Sequence, residues 1–153
     1  MSREWDRTAT RLTDALRKSS AQALMVSHSV AAKVGFNMTD LECLDIIQMS
    51  GRVTAGELAR RTGLSTGAMT TAIDRLVDAG YVERQDDPND RRRVLVTTRA
   101  DSMQTLWRIY APLQAAMEQL YAGYSEDELR TIAAFMEQAV TVSATFARNL
   151  REE

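Results

Sequence analysis

Apolar residues recur at three-, four- and seven-residue steps from about Ser2 to Val34, at Leu12, Leu16, Ala23, Val26, Val30 and Val34, with Arg, Asp and Lys between them. That period predicts one long amphipathic helix, broken at Gly35 and Asn37. Thr39, with Glu42 three places on, reads as a capping box for a second helix from Asp40 to about Met49. Arg52-Val53 then reads as a brief extended segment, a third strand for the hairpin that follows. Thr54 and Glu57 predict a third helix by the same capping pattern, stopped at Gly63. Leu64 plugs the turn, and Ser65 caps a fourth helix that runs to about Ala79 and stops at Gly80. From Tyr81 the period switches to two, so Tyr81–Gln85 and Val94–Thr97 are expected as short strands. The eight residues between them, Asp86 to Arg93, read as a long loop. Thr98 or Asp101 opens a fifth helix, which Pro112 should bend near Arg108. Gly123 ends it, and Ser125 with Glu128 opens the last, whose apolar side is Leu129, Ile132, Met136, Val140 and Leu150.

The stretch from Thr54 to Thr98 organises the rest. Helix, glycine turn, helix and hairpin follow in the order of a winged helix-turn-helix, a device that lays one helix in a DNA groove. On the fourth helix Met69, Ala72, Ile73, Leu76 and Val77 gather on one side. The opposite side carries Gly67, Ala68, Thr70, Thr71, Asp74, Arg75 and Asp78, where Glu and Lys would be the usual fillers of a solvated face. Short side chains let a helix axis sink into a major groove, with Ser65, Thr66, Thr70, Thr71 and Arg75 reaching phosphates or bases. Asp74 and Asp78 would repel phosphate, so the N-terminal half is expected to enter. Arg91-Arg92-Arg93 at the hairpin suits the negative potential of a minor groove. The competing reading, a solvated charge run in an exposed loop, weakens beside the helix pair.

Two stretches, E-L-A-R-R-T-G-L-S-T-G-A-M-T-T-A-I-D-R-L-V-D-A-G-Y-V-E-R and D-P-N-D-R-R-R-V-L-V-T-T, resemble the MarR family of winged-helix transcription regulators. The resemblance implies a mainly α fold with a small β-hairpin wing (α+β). A helical dimerisation region, 1–36 and 100–153, would flank a winged-helix lobe, 37–99, within one domain. It implies that Asp90 orients Arg92 in the minor groove, leaving Arg91 and Arg93 for phosphate. The terminal helices of two subunits would interlock as a homodimer, which their amphipathic stripes support indirectly. Two reading helices roughly 34 Å apart would favour a palindromic operator on double-stranded DNA, and a repressor is expected. Relatives that bind phenolic or other apolar anions do so between the dimer helices and the lobe. Layout matches that cleft to His28, Phe36, Met49, Trp107 and Tyr110, although aromatics and methionines at helical spacing are more often core.

Composition changes this little. A 153-residue chain with 44% hydrophobic and 26% charged residues fits one globular domain. No apolar run approaches membrane-spanning length and no signal-peptide core is evident, so an intracellular, cytoplasmic protein is expected. The net charge of −2 argues against nucleic acid until it is divided along the chain. Residues 52–99 hold nine Arg against seven acids, whereas 100–153 hold four bases against eight acids. Binding should therefore concentrate at the wing and weaken with salt. A single cysteine, Cys43, excludes an intrachain disulfide and a thiolate metal cluster. Some MarR relatives sense oxidants through a cysteine, but no base near Cys43 in sequence would lower its pKa, and a small buried hydrophobe is the expected role. One histidine, one cysteine and no glycine-rich phosphate loop leave no catalytic residues, metal site or cofactor to name. The alternatives are a winged-helix protein–protein module, which the three arginines oppose, and a regulator without an effector.

Overall fold

The computed structural model describes residues 2–152, apart from the side chains of Arg91, Arg151 and Glu152. The elements are α1 (Arg3–Val34), α2 (Met38–Ser50), β1 (Val53–Thr54), α3 (Ala55–Thr62), α4 (Thr66–Asp78), β2 (Val82–Asp87), β3 (Asp90–Thr98), α5 (Ala100–Tyr121) and α6 (Glu126–Glu152). The fold is mainly helical with a small antiparallel wing sheet, as expected from the period changes. Two compact units divide it, Met1–Ile109 and Tyr110–Glu153. The division falls inside α5, two residues before Pro112, through which the helix continues.

Local capping explains most helix boundaries. Ser2 caps α1, and Gly35, at φ 77°, ends it in the left-handed region that glycine enters without a Cβ clash. The second helix begins two residues earlier than expected. Asn37, not Thr39, is its N-cap, and Asp40, not Glu42, completes a reciprocal capping box. Asn is as good a cap as Thr, and the Asn37 side chain accepts from the Asp40 backbone N–H at 2.9 Å. At α3 only half of the expected box forms. Thr54 accepts from the Glu57 N–H, but the Glu57 carboxylate accepts from Arg60 and Arg61 one turn on. At α6 the box is complete, with Glu128 accepting from the Ser125 N–H at 2.8 Å.

The sheet order is β1-β3-β2, all antiparallel. β1 is the third strand expected at Val53. The hairpin departs from expectation, because its strands run on through most of the supposed loop. Asp87 pairs with Asp90 across a two-residue tip, Pro88-Asn89, while Asp86 pairs with Val94. Positions 91–93 are therefore a bulge in β3, and a bulge bends and twists the strand that carries it. Asp87, almost fully buried, accepts from the Asn89 N–H at 2.9 Å and so fixes the tip as an Asx turn.

The buried apolar residues of the described chain lie in the first unit, where α2, α3 and α4 close over the sheet. Leu41, Leu44, Ile47, Leu58, Met69, Ile73, Leu76, Val82 and Val96 form its centre. Cys43 sits among them, fully buried, its thiol donating to the Met69 sulfur at 3.8 Å. Burial first, then Glu42 and Asp40, push the Cys43 thiol from the ordinary 9.0 up to about 11. The unfolded chain would thus lose this proton near pH 9 and the folded chain only near pH 11, so this residue's contribution makes stability fall as pH rises between those values. Iodoacetamide at pH 8 is expected to leave Cys43 unmodified in the folded protein and to alkylate it in urea. Rapid native labelling, read by mass spectrometry, would contradict the burial.

Three elements meet at Gly80 and Tyr81. Gly80 adopts φ 76°. The Tyr81 N–H donates back to Leu76 O of α4 at 2.9 Å, and Tyr81 O accepts from the Arg99 N–H at 2.9 Å. The Ser102 hydroxyl of α5 donates to Gly80 O at 2.6 Å.

Candidate nucleic-acid interface

The fourth helix divides along its length as its sequence predicts. Met69, Ala72, Ile73 and Leu76 are buried, whereas Thr66, Gly67, Ala68, Thr70, Thr71, Asp74, Arg75 and Asp78 are exposed. Ser65 is the N-cap, its hydroxyl accepting from the Ala68 N–H at 3.3 Å. The hydroxyls of Thr70 and Thr71 donate to Thr66 O and Gly67 O at 2.9 and 3.1 Å. These bonds fold the threonine side chains against the helix and leave a low outer surface whose oxygens still carry lone pairs.

Arg75 is placed differently from expectation. Its guanidinium is turned onto the buried carboxylate of Asp40 in α2, with Nη2 at 2.6 Å and Nε at 3.1 Å from Oδ1. Asp40 is 2% exposed, and a carboxylate so withdrawn from water needs a charged partner. A fork held this way ties α4 to α2, while the Arg75 side chain stays 44% exposed. The signal was present in the sequence, since an acid at the N3 position of α2 is a cap, but the link to a residue 35 positions away required the fold. Asp74 is also spoken for. It accepts from Arg84 of β2 at 2.5 Å, which offsets its negative charge and ties the wing base to α4.

In the wing, Asp90 accepts from the backbone N–H of Arg92 at 3.0 Å. It therefore holds the backbone of the bulge, not the guanidinium the resemblance assigned to it. Arg93 lies 3.9 Å from the Asp87 carboxylate. The Arg92 side chain is exposed, and no carboxylate among the described residues pairs with it. The side chain of Arg91 lies outside the described residues.

Of the five residues matched to an effector cleft, four fall in the first unit and Tyr110 in the second. Phe36 packs edge-on against Tyr81, with ring centroids 4.8 Å apart. Met49, 80% exposed, lines a groove between α1 and α2 that His28, Phe36 and Trp107 do not line. His28 and Trp107 are exposed on their helices, and Tyr110 belongs to the second unit. Helical spacing placed these side chains on surfaces, which it does well, but could not show which surfaces face each other.

The helix pair and wing match the MarR family model over residues 36–94. The HTH-type transcriptional regulator YcgE of Bacillus subtilis is 36% identical over 149 residues, covering 97% of this chain and 95% of its own. Among solved structures, a MarR family protein from Bacillus stearothermophilus superposes with a TM-score of 0.67 at 17% identity, over 90% of this chain and 96% of that one. A mutant MarR from Escherichia coli complexed with operator DNA gives a TM-score of 0.54 at 22% identity, over 84% and 93%. These two share the fold; the near full-length likeness to YcgE and the family model go further. The chain belongs to the MarR family of transcriptional regulators.

Proposed function

We propose that the protein is a homodimeric repressor that binds palindromic operators on double-stranded DNA and is released by a small-molecule effector. The observation that carries the reading is a low, hydroxyl-bearing α4 face in the same lobe as an exposed wing arginine, Arg92, that has no carboxylate partner among the described residues. Ser65, Thr66, Thr70 and Thr71 meet the major groove, and Arg92 meets the minor groove with Arg91 and Arg93 beside it on phosphate. Arg75 positions α4 through Asp40. The MarR of Escherichia coli, whose fold this chain shares, has been captured on operator DNA, which supports the reading.

The dimerisation region is assigned to residues 1–36 and 100–153. Trp5, Leu12, Leu24 and Met25 are exposed on α1, as are Ile132, Met136, Val140 and Phe146 on α6. No described side chain of α6 is buried, and a helix of 27 residues with that apolar stripe needs a partner surface. Among the described residues no helix is long and apolar enough to cross a membrane. A cytoplasmic location accords with a role on DNA.

Fluorescence anisotropy on a duplex from upstream of the protein's own coding region, beside a scrambled duplex and across a salt series, tests the reading. Tighter, salt-dependent binding to the upstream duplex is expected. Absence of binding to either duplex at low salt would favour the protein–protein module. Arg92→Ala is expected to weaken operator binding about tenfold and to lower the log–log salt slope by about one, without changing the melting temperature. Unchanged affinity would remove the wing from the interface.

A further inference from the structure

We propose that the corner between α1 and α2 sets the stance of α4 and of the wing together, through two positioning residues, Phe36 and Asp40, that do not themselves touch DNA. This rests on the DNA reading above and concerns what holds its two reading parts in place.

The corner is fixed to the end of α1. Gly35 turns the chain at φ 77°, and the Phe36 N–H donates back to Ala31 O at 2.8 Å. The half-buried Phe36 ring meets the Tyr81 ring edge to face, with centroids 4.8 Å apart, a directional contact beyond simple burial. Tyr81 is itself bonded to Leu76 O in α4 and to the Arg99 N–H at the end of the wing. Phe36 therefore bears on the joint where α4 and the wing meet.

Four residues on, Asp40 is 2% exposed and has two duties. Its Oδ2 accepts from the Asn37 N–H at 3.4 Å, which completes the cap of α2. The same carboxylate holds the fork of Arg75, with Nε at 3.1 Å from both oxygens and Nη2 at 2.6 Å from Oδ1. One turn of chain thus grips α4 by a fork and the wing base by a ring. Apolar packing of Met69, Ala72, Ile73 and Leu76 already holds α4 to the core. Packing of that kind loses uniqueness before it loses stability. A planar fork on a buried carboxylate fixes direction as well as distance, and so limits how α4 can rotate or slide.

The opposing role for the pair is competition. With Arg75 44% exposed, a guanidinium that left Asp40 for a phosphate would make the carboxylate a rival of DNA. The two roles predict opposite signs for Asp40→Asn. The Asn side chain still accepts from the Asn37 N–H and leaves no charge in the core. Removing an acid from a DNA-binding lobe should by itself tighten binding to any duplex. Loss of positioning should weaken binding to the correct duplex alone.

Fluorescence anisotropy on the upstream duplex and its scrambled counterpart, with a circular dichroism melt for each variant, tests this. Asp40→Asn is expected to lower affinity for the upstream duplex about tenfold, the size of one lost base contact, while the scrambled duplex binds as before or more tightly. Arg75→Lys, which keeps the charge but not the fork, should lose upstream affinity in the same way. Phe36→Leu should do so too, and Phe36→Tyr, which keeps the ring, should bind as the parent does. If Asp40→Asn fails to fold, Arg75→Lys and the two Phe36 variants decide the matter. Unchanged or tighter upstream binding in Asp40→Asn or Arg75→Lys would overturn the proposal. So would equal losses on both duplexes, the mark of a damaged fold or a lost phosphate contact. A parent with no preference for the upstream duplex would remove the DNA reading and this inference together. A parent with that preference, beside variants that match it, would remove this inference alone.

Discussion

Replacing Thr70 with Glu is expected to lower operator affinity about a hundredfold or more, with no change in thermal stability. Thr70 is exposed, and among the described residues its hydroxyl bonds only locally, to Thr66 O, so the fold loses little. The longer side chain lifts the helix away from the bases, and its charge meets the phosphate backbone. Opposed like charges at an interface cost several kcal/mol, which corresponds to a loss of two or more powers of ten. Thr70→Ala, which adds neither length nor charge, should cost far less. Anisotropy on the operator together with a melting curve separates recognition from folding. If Thr70→Glu bound as the parent does, α4 could not be the reading helix, whatever the wing contributes.

On the opposite side of the same helix, Leu76→Ala is expected to cost about 2–5 kcal/mol of stability. Leu76 is 0% exposed within the packing of α4. Removing its branched end leaves a cavity that the surrounding core fills only in part. Against a typical domain stability of about 5–15 kcal/mol, that loss is severe. Val94→Ala on β3 is the control, since Val94 is 48% exposed and should change stability by less than about 1 kcal/mol. Urea denaturation at fixed protein concentration reads both, the fixed concentration removing any contribution from subunit association. Equal effects at the two positions would mean that the inner face of α4 is not packed as described.

These two predictions use the part of the molecule that was most legible in the sequence. The division of α4 into a buried and an exposed face follows from 100° per residue, and Met69, Ala72, Ile73 and Leu76 are buried as that period requires. Caps formed at Ser65, Ser125 and Thr54 because a capping side chain reaches only its own first turn, so the whole interaction is written locally. The same locality misled at α2, where Asn37 and Thr39 both qualify and only the structure shows Asn37 engaged. The wing was harder. Asp, Pro and Asn between strands announce a turn but not its length, and a bulge at 91–93 has no local signature. The ion pair of Arg75 was not legible, because its partner Asp40 is 35 residues away. Helix faces are periodic in sequence, but which faces meet is not, as Phe36 packing on Tyr81 shows.

The joint at Gly80 and Tyr81 has a kinetic consequence. Tyr81 is bonded through its N–H to α4 and through its carbonyl to Arg99 at the end of the wing, and Gly80 O receives the Ser102 hydroxyl of α5. None of these three elements can fray at this point without breaking a bond that belongs to another. The amide protons of Tyr81 and Arg99 should therefore exchange with solvent at one shared rate, set by a joint opening of the C-terminal end of α4, the wing base and the first turn of α5. The reading helix and its wing would then lose their order together, and a partly melted lobe that keeps one without the other would be too short-lived to hold DNA.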